Sequence, residues 1–258
     1  MSVLNGVALK AAIGWKSGRQ MDSREGSGWR NGDRENGELM QNVRPAVRLW
    51  IDGVGCWLIS RSQHLTVGSM QPVRPVALDS GESQSSEHVG IFADLRSKHA
   101  SFSREDGSFI LEPRGNVRVG NIDQVSAVPL SNETTIQLGD EVLMKYCLPS
   151  PLSGSARLTL ESGHRFASSL DGIILLEKTC LLGAGSQSHI VCKNWQRDIV
   201  IFERGSSLFC KVSARESSVA DSSGGGRETP QVVECHPGEI LSGEDWSFHV
   251  EAIDLPEV

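Results

Sequence analysis

From Pro45 onward, hydrophobic residues occur in short runs that are separated by turn residues. The runs are a few residues long, and Gly, Asp, Asn or Pro bound several of them, as in AVRLWI, CWLI, VGIFA and SFILE. No stretch shows the 3.6-residue period of a long amphipathic helix, and Asp106-Gly107 between two such runs is typical of a β-hairpin turn. The pattern therefore predicts an all-β fold, either a sandwich or a barrel.

A second series of strand-like runs follows the Pro-, Gly- and Ser-rich stretch at 147–155. Its landmarks recur in the order of the first series: LTVGS corresponds to CLLGA, HASFSRE to DIVIFER, and TIQLGDEVLMKY to EILSGEDWSFHVE. A repeat of roughly 100 to 115 residues has the size of a domain rather than of a solenoid unit. We therefore predict two homologous β-domains, at 45–150 and 155–258.

Residues 1–44 differ from the rest of the chain, because they are rich in Gly, Ser, Asn, Arg and Glu and show no hydrophobic period. Such a composition buries too little apolar surface to offset the entropy of ordering. We predict a disordered N-terminal arm.

The amino-acid composition limits the cellular compartment and the classes of partner that we expect for this chain. The chain has 258 residues and a net charge of −7, which disfavours nucleic acid and anionic membranes as general partners. No apolar run approaches the roughly 20 residues that span a bilayer. The six cysteines form no C-x-x-C pair, so we expect reduced thiols and a cytoplasmic protein.

No local pattern predicts an enzyme or a cofactor. The histidines lack H-x-H and H-E-x-x-H spacing, so a zinc site is not expected. The chain also has neither G-x-S-x-G nor a glycine-rich phosphate-binding motif. We predict a non-catalytic protein without metal or cofactor.

The first repeat, about 46–147, resembles the forkhead-associated (FHA) domain. The resemblance is based on four segments in the family's order: HLTVGS, DLRSKHASF, VRVGN and IQLGDEVLMK. It implies a β-sandwich that binds phosphothreonine peptides with the loops at one end. Two such units with a degenerate second copy are similar to bacterial signalling proteins.

The resemblance also implies roles for individual residues. Gly68 matches the family's glycine before its phosphate-binding arginine, but Ser69 occupies the position of that arginine. His99 matches the histidine that fixes the loop, and Arg96 stands at the phosphate-binding serine. Asn121 follows Gly120, which inverts the family's Asn-Gly turn. The implied phosphopeptide-binding residues are Ser69, Arg96, Ser97, Lys98 and Asn121, with Gly68 and His99 structuring the loop.

In the second repeat, Gly183-Ala184 replaces the Gly-Arg pair, and Asp198 stands at the histidine position. A carboxylate there repels phosphate, so we expect no phosphothreonine recognition by this copy.

Two functions stay open for the whole chain. One is binding of a phosphothreonine-bearing partner linked to a Ser/Thr kinase, and the other is phospho-independent assembly of proteins. The orientation of Arg96 distinguishes them, because an Arg96 side chain at the loop end beside Ser97 favours the first.

Overall fold

The computed structural model describes residues 46–70, 87–213 and 231–253, which belong to one structural unit. The predicted disordered arm, 1–44, lies outside the described residues.

The described residues form β-strands and a single turn of 3-10 helix at Ala167–Ser169, and they contain no α-helix. This confirms the predicted all-β fold class. The strands are β1 (Val47–Ile51), β2 (Gly55–Ser60), β3 (His64–Ser69), β4 (Glu87–Ile91), β5 (Ala100–Glu105), β6 (Ser108–Pro113), β7 (Val117–Val119), β8 (Ile122–Gln124), β9 (Val128–Pro129), β10 (Thr134–Leu138), β11 (Val142–Cys147), β12 (Ala156–Leu160), β13 (Gly172–Leu175), β14 (Thr179–Gly183), β15 (Ile190–Val191), β16 (Ile199–Arg204), β17 (Ser207–Val212), β18 (Gln231–Glu234), β19 (Ile240–Ser242) and β20 (Ser247–Ala252).

The strands form three sheets. Sheet A has the order β19-β20-β1-β2-β13-β12-β11-β10-β7-β8. Sheet B has the order β4-β3-β5-β6-β9, and sheet C has the order β15-β14-β16-β17-β18.

The turn between β5 and β6 is the one that the sequence predicts. Asp106 and Gly107 both have positive φ, 48° and 79°, and β5 pairs with β6 in antiparallel register on either side of them. Positive φ at both central residues matches the right-handed twist of the two strands. The predicted hairpin is therefore confirmed.

Sheets B and C have the same construction. In sheet B, β3 is parallel to β4 and antiparallel to β5. In sheet C, β14 is parallel to β15 and antiparallel to β16. The segments LTVGS and CLLGA thus lie at equivalent places, as do HASFSRE and DIVIFER.

Sheets B and C pack against opposite faces of sheet A. In β2, Cys56 and Leu58 belong to the hydrophobic core under sheet B, whereas Trp57 and Ile59 belong to the core under sheet C. Alternate residues of a strand point to opposite faces, so β2 is buried on both sides. The two cores overlap at β2 and its neighbour β13.

The first hairpin of each repeat completes the sandwich of the other repeat. Hairpin β1–β2 precedes sheet B in the chain, yet β1 pairs with β20, and Val47, Leu49 and Ile51 pack under sheet C. Hairpin β12–β13 precedes sheet C, yet β12 pairs with β11, and Leu158 and Ile173 pack under sheet B. We call β1–β2 and β12–β13 the exchanged hairpins.

The predicted linear division at 150–155 does not describe this exchange, because each sandwich includes a hairpin from the other side of that boundary. Independent folding of the two predicted domains stays a prediction.

The exchanged hairpins meet in the centre of sheet A. Strands β2 and β13 run parallel, with Trp57 opposite Gly172, and the N–H of Leu176 donates to the carbonyl of Ser60 at 3.0 Å. Strands β2 and β13 therefore end on the same side of sheet A, and the chain continues from there into β3 and β14.

Candidate functional site

His99 holds together the loops at one end of sheet B. Its side chain is 4% exposed, and its Nδ1 accepts a hydrogen bond from the backbone N–H of Arg96 at 3.1 Å. Its Nε2 lies 2.8 Å from the carbonyl of Asn116. The N–H of Gly139 lies 3.1 Å from the same Nε2, so the ring contacts three backbone groups. One ring thus connects the β4–β5 loop to the β6–β7 loop.

Gly68 allows the β4–β5 loop to approach β3 closely. A Cβ at Gly68 would lie 2.1 Å from the carbonyl oxygen of Ser97, which no side chain tolerates. With glycine in place, the N–H of Ser69 donates to the carbonyl of Arg96 at 2.9 Å. Gly68 and His99 therefore both have contacts that structure this loop.

We define the loop end as the end of β3 with Met70, the β4–β5 loop (92–99) and the β6–β7 loop (114–116). Of the residues that the FHA resemblance implies, Ser69, Arg96, Ser97 and Lys98 lie there, and the last three are exposed. The structure thus brings four of the five predicted phosphopeptide-binding residues to one end of the sandwich.

The guanidinium of Arg96 stays at the loop end. Its Nη1 donates to the carbonyl of Arg114 at 2.8 Å. Arg114 itself forms an ion pair with Glu112 at 3.2 Å. The cations Arg96, Lys98 and Arg114 therefore lie on adjacent loops, and one of the three is partly neutralised.

Asn121 does not join the other predicted site residues. It follows Gly120 in the turn between β7 and β8, at the opposite end of β7 from the loop end. Three residues of strand separate the two ends, about 10 Å at strand rise. Asn116 is the asparagine at the loop end, where its carbonyl accepts from the N–H of Gly139 at 2.8 Å.

Sequence reasoning missed Arg114 and Asn116. The signal that identifies them is the turn-forming Pro-Arg-Gly-Asn directly before the VRV strand. A Cβ at Gly115 would lie 2.5 Å from His99 Cε1, so this turn also depends on a glycine.

The connection between β12 and β13 forms the edge of the loop end. The N–H of Phe92 donates to the carbonyl of Arg165 at 2.9 Å, and Ile91 forms a β-bridge with Phe166. Beside this edge, Phe92 is 57% exposed and Met70 is 51% exposed. Apolar surface thus adjoins the cationic loops.

The second half differs at the equivalent end. Asp198 directly precedes β16, as His99 precedes β5, and a Cβ at Gly183 would lie 1.9 Å from its carboxylate. The N–H of Gln196 donates to the carboxylate of Asp245. Two carboxylates thus lie where the first half has a histidine ring and cationic loops.

A serine–histidine pair at the repeat junction is not arranged for nucleophilic catalysis. Ser153 Oγ lies 2.8 Å from His189 Nε2, and His189 Nδ1 accepts from the N–H of Leu181 at 3.0 Å. His189 therefore donates to Ser153 rather than removing its proton. Burial lowers the pKa of His189 to about 4, so the ring is neutral.

The cysteines are all free and buried. Burial raises the pKa of Cys56 and of Cys192 to about 12, which disfavours the reactive thiolate. Among the described residues, no three His, Cys, Asp or Glu side chains are grouped to hold a metal ion. The same residues include no helix with the length and apolar character needed to cross a bilayer.

Comparison of the chain with models of known protein families, with curated proteins and with solved structures finds no match.

Proposed function

We propose that this chain is a non-catalytic signalling protein that binds a protein partner at the loop end and recognises phosphothreonine there. The observation behind this proposal is the convergence of Ser69, Arg96 and Ser97 at one end of the sandwich, around a loop that Gly68 and His99 hold in place.

The chemistry of the loop end suits a phosphate dianion. A phosphate needs charge-assisted donors that are held rigidly, and a guanidinium with nearby hydroxyls supplies them. The hydrogen bond from Arg96 to the carbonyl of Arg114 orients the guanidinium and leaves its other nitrogens as donors. Lys98 adds a positive charge on the same loop.

A peptide-binding experiment on the full chain tests the proposal. We expect phosphothreonine peptides from a degenerate library to bind, and the same peptides without phosphate to bind at least about tenfold more weakly, since a charge-assisted hydrogen bond contributes about 1.5 to 3 kcal/mol. Arg96→Ala should abolish this preference. Arg118→Ala is the matched control, because Arg118 is exposed on β7 and paired with Asp123 at 2.8 Å. Equal binding of both peptide forms would contradict phosphothreonine recognition.

A second candidate function is phospho-independent assembly through the same end. Two observations favour it: Ser69 supplies no charge at the position of the family's arginine, and Phe92 and Met70 expose apolar surface beside the loops. In this case Phe92→Ser should weaken partner binding more than Arg96→Ala. Ile122→Ser is the control, since Ile122 is 68% exposed on β8.

A further inference from the structure

The chain connectivity permits two arrangements of the hairpins. Only residues 61–63 join β2 to β3, and only 176–178 join β13 to β14. Since β2 and β13 are parallel neighbours, exchanging their positions moves each strand end by one strand spacing, about 4.8 Å. Three linking residues span up to about 10 Å, so both arrangements can be connected.

Two ion pairs fix the ends of the exchanged hairpins. Arg61, just after β2, pairs with Glu203 of sheet C, with 2.5 Å between Nε and Oε1. The Arg61 side chain is 4% exposed, and its Nη2 also donates to the carbonyl of Ser206 at 2.6 Å. Glu177, just after β13, pairs with Arg104 of sheet B.

The two pairs have opposite polarity. Arg104 and Glu203 occupy equivalent positions, each the fifth residue of its six-residue strand, β5 or β16. Hairpin β1–β2 therefore brings a cation, Arg61, to the anion Glu203. Hairpin β12–β13 brings an anion, Glu177, to the cation Arg104. The two pairs are also near each other, because the charge of Glu203 acts on Arg104 and partly offsets the lowering of the Arg104 pKa by burial.

In the non-exchanged arrangement, each hairpin would pack on its own repeat. Arg61 would then face Arg104, and Glu177 would face Glu203. Like charges in contact at half-buried positions are strongly unfavourable, and such repulsion is a common source of specificity.

We propose that the pairs Arg61–Glu203 and Glu177–Arg104 select the exchanged arrangement of the two hairpins over the non-exchanged one. This selection also shapes the loop end. In the exchanged arrangement, the segment 161–171 between β12 and β13 reaches the edge of β4, where Arg165 accepts from Phe92. The alternative hairpin would bring only the short turn 52–54 to that place.

Charge reversal at two positions tests the selection. In Arg104→Glu/Glu203→Arg, both contacts of the exchanged arrangement become repulsive and both contacts of the non-exchanged one become attractive. Arg61→Glu/Glu203→Arg is the matched variant, because it keeps opposite charges in contact in either arrangement and thus removes the selection alone.

Engineered cysteines report which hairpin lies beside β11. Lys145 on β11 is directly opposite Thr159 on β12, so a disulfide in Lys145→Cys/Thr159→Cys reports the exchanged arrangement. Trp50 on β1 is opposite His249 on β20, just as Thr159 on β12 is opposite Lys145 on β11. Trp50 is therefore the equivalent of Thr159 in the other hairpin. A disulfide in Trp50→Cys/Lys145→Cys therefore reports the non-exchanged arrangement. The six native cysteines are buried, and mild oxidation with subsequent peptide mapping identifies the engineered disulfide.

We call these two disulfides the exchanged link and the non-exchanged link. The chain with its native charges should form only the exchanged link. Arg104→Glu/Glu203→Arg should form mainly the non-exchanged link within one chain, and Arg61→Glu/Glu203→Arg should form both links.

Two results overturn the proposal. One is formation of the exchanged link alone in folded Arg61→Glu/Glu203→Arg, and the other is a non-exchanged link that is found only between chains. If Arg104→Glu/Glu203→Arg does not fold, the other variant decides, because it retains opposite charges in both pairs.

Discussion

At the scale of single residues, His99 determines the shape of the loop end without lying on its surface. The ring accepts from the N–H of Arg96 and contacts the carbonyl of Asn116, so it orients the loops that carry the candidate phosphate ligands. Its effect on binding is therefore indirect and should accompany an effect on stability.

Replacement of His99 by Ala tests this role. The change leaves the Arg96 N–H without its partner and removes the ring that packs between the loops, whereas the Asn116 carbonyl keeps the N–H of Gly139, and we expect the free energy of unfolding to fall by about 2 to 4 kcal/mol. Partner binding at the loop end should weaken as well. Urea denaturation measures the first effect, and His64→Ala, at a half-buried ring, is the control with an expected loss below about 1 kcal/mol. Equal stability of the two variants would refute the anchoring role.

Glu87 makes stability depend on pH. Its carboxyl accepts a hydrogen bond from Ser60 Oγ at 2.5 Å, and burial raises its pKa from 4.5 to about 7. The folded state therefore holds a proton that the unfolded state releases between pH 4.5 and 7, so this group destabilises the fold as pH rises through that range.

We expect Glu87→Gln to increase the free energy of unfolding at pH 8 by up to about 3 kcal/mol and to have little effect at about pH 4.5, since one pKa unit corresponds to about 1.36 kcal/mol. Urea denaturation at both pH values measures the difference. A constant effect of the substitution at both pH values would show that Glu87 does not titrate in this range.

At the scale of elements, the two central strands of sheet A have the tightest packing requirements. A Cβ at Gly172 in β13 would lie 2.4 Å from Cζ3 of Trp57 in β2, inside the region where both cores overlap. The ring of Trp57 thus uses the space that glycine leaves on the neighbouring strand.

Gly172→Ala should lower the free energy of unfolding by about 2 kcal/mol or more, because overpacking this buried site displaces the Trp57 ring. Gly163→Ala is the control, since nothing lies within 4 Å of a Cβ there. Thermal unfolding of both variants gives the comparison. A Gly172→Ala protein as stable as the control would mean that Trp57 has room to move.

Local turn chemistry and the repeat explain which elements are predictable from the sequence. Asp106-Gly107 identifies its hairpin because few residue pairs adopt two positive φ angles. The equivalence of β3 with β14 follows from matching runs. The exchange is not predictable from runs, because a short link connects equally well to either of two adjacent parallel strands. The glycine beside Asn121 makes it the asparagine that the sequence pattern favours, and only the fold of β7 shows that Asn116 lies at the loop end.

At the scale of the whole molecule, the exchanged hairpins separate the division between the two sandwiches from the division between the two repeats in the sequence. The sandwich under sheet B is built mainly from β3 to β13, with Cys56 and Leu58 of β2 added to its core, and Leu158 and Ile173 of that core come from beyond residue 155. A fragment that ends at residue 150 thus lacks a buried part of its core.

We expect fragment 62–177 to be more stable than fragment 46–150 by at least about 2 kcal/mol, because burial of each large apolar side chain contributes about 1.5 to 3 kcal/mol. Fragment 46–150 can place only β1–β2 beside β11, with Arg61 facing Arg104. Urea unfolding followed by circular dichroism measures both fragments. Equal or greater stability of fragment 46–150 would support the linear division at 150–155.

The pairing of β1 with β20 links folding to the order of synthesis. Trp50 and Glu251, which are joined by a hydrogen bond between these strands, are 201 positions apart in the chain. On a ribosome, β1–β2 emerges long before β20 exists, and contacts between such distant segments form slowly. The edge of β1 must therefore stay without its partner strand until β20 is made. A chain cut short before β20 would keep that edge unpaired, and exposed strand edges are the parts of a sheet that pair with other chains.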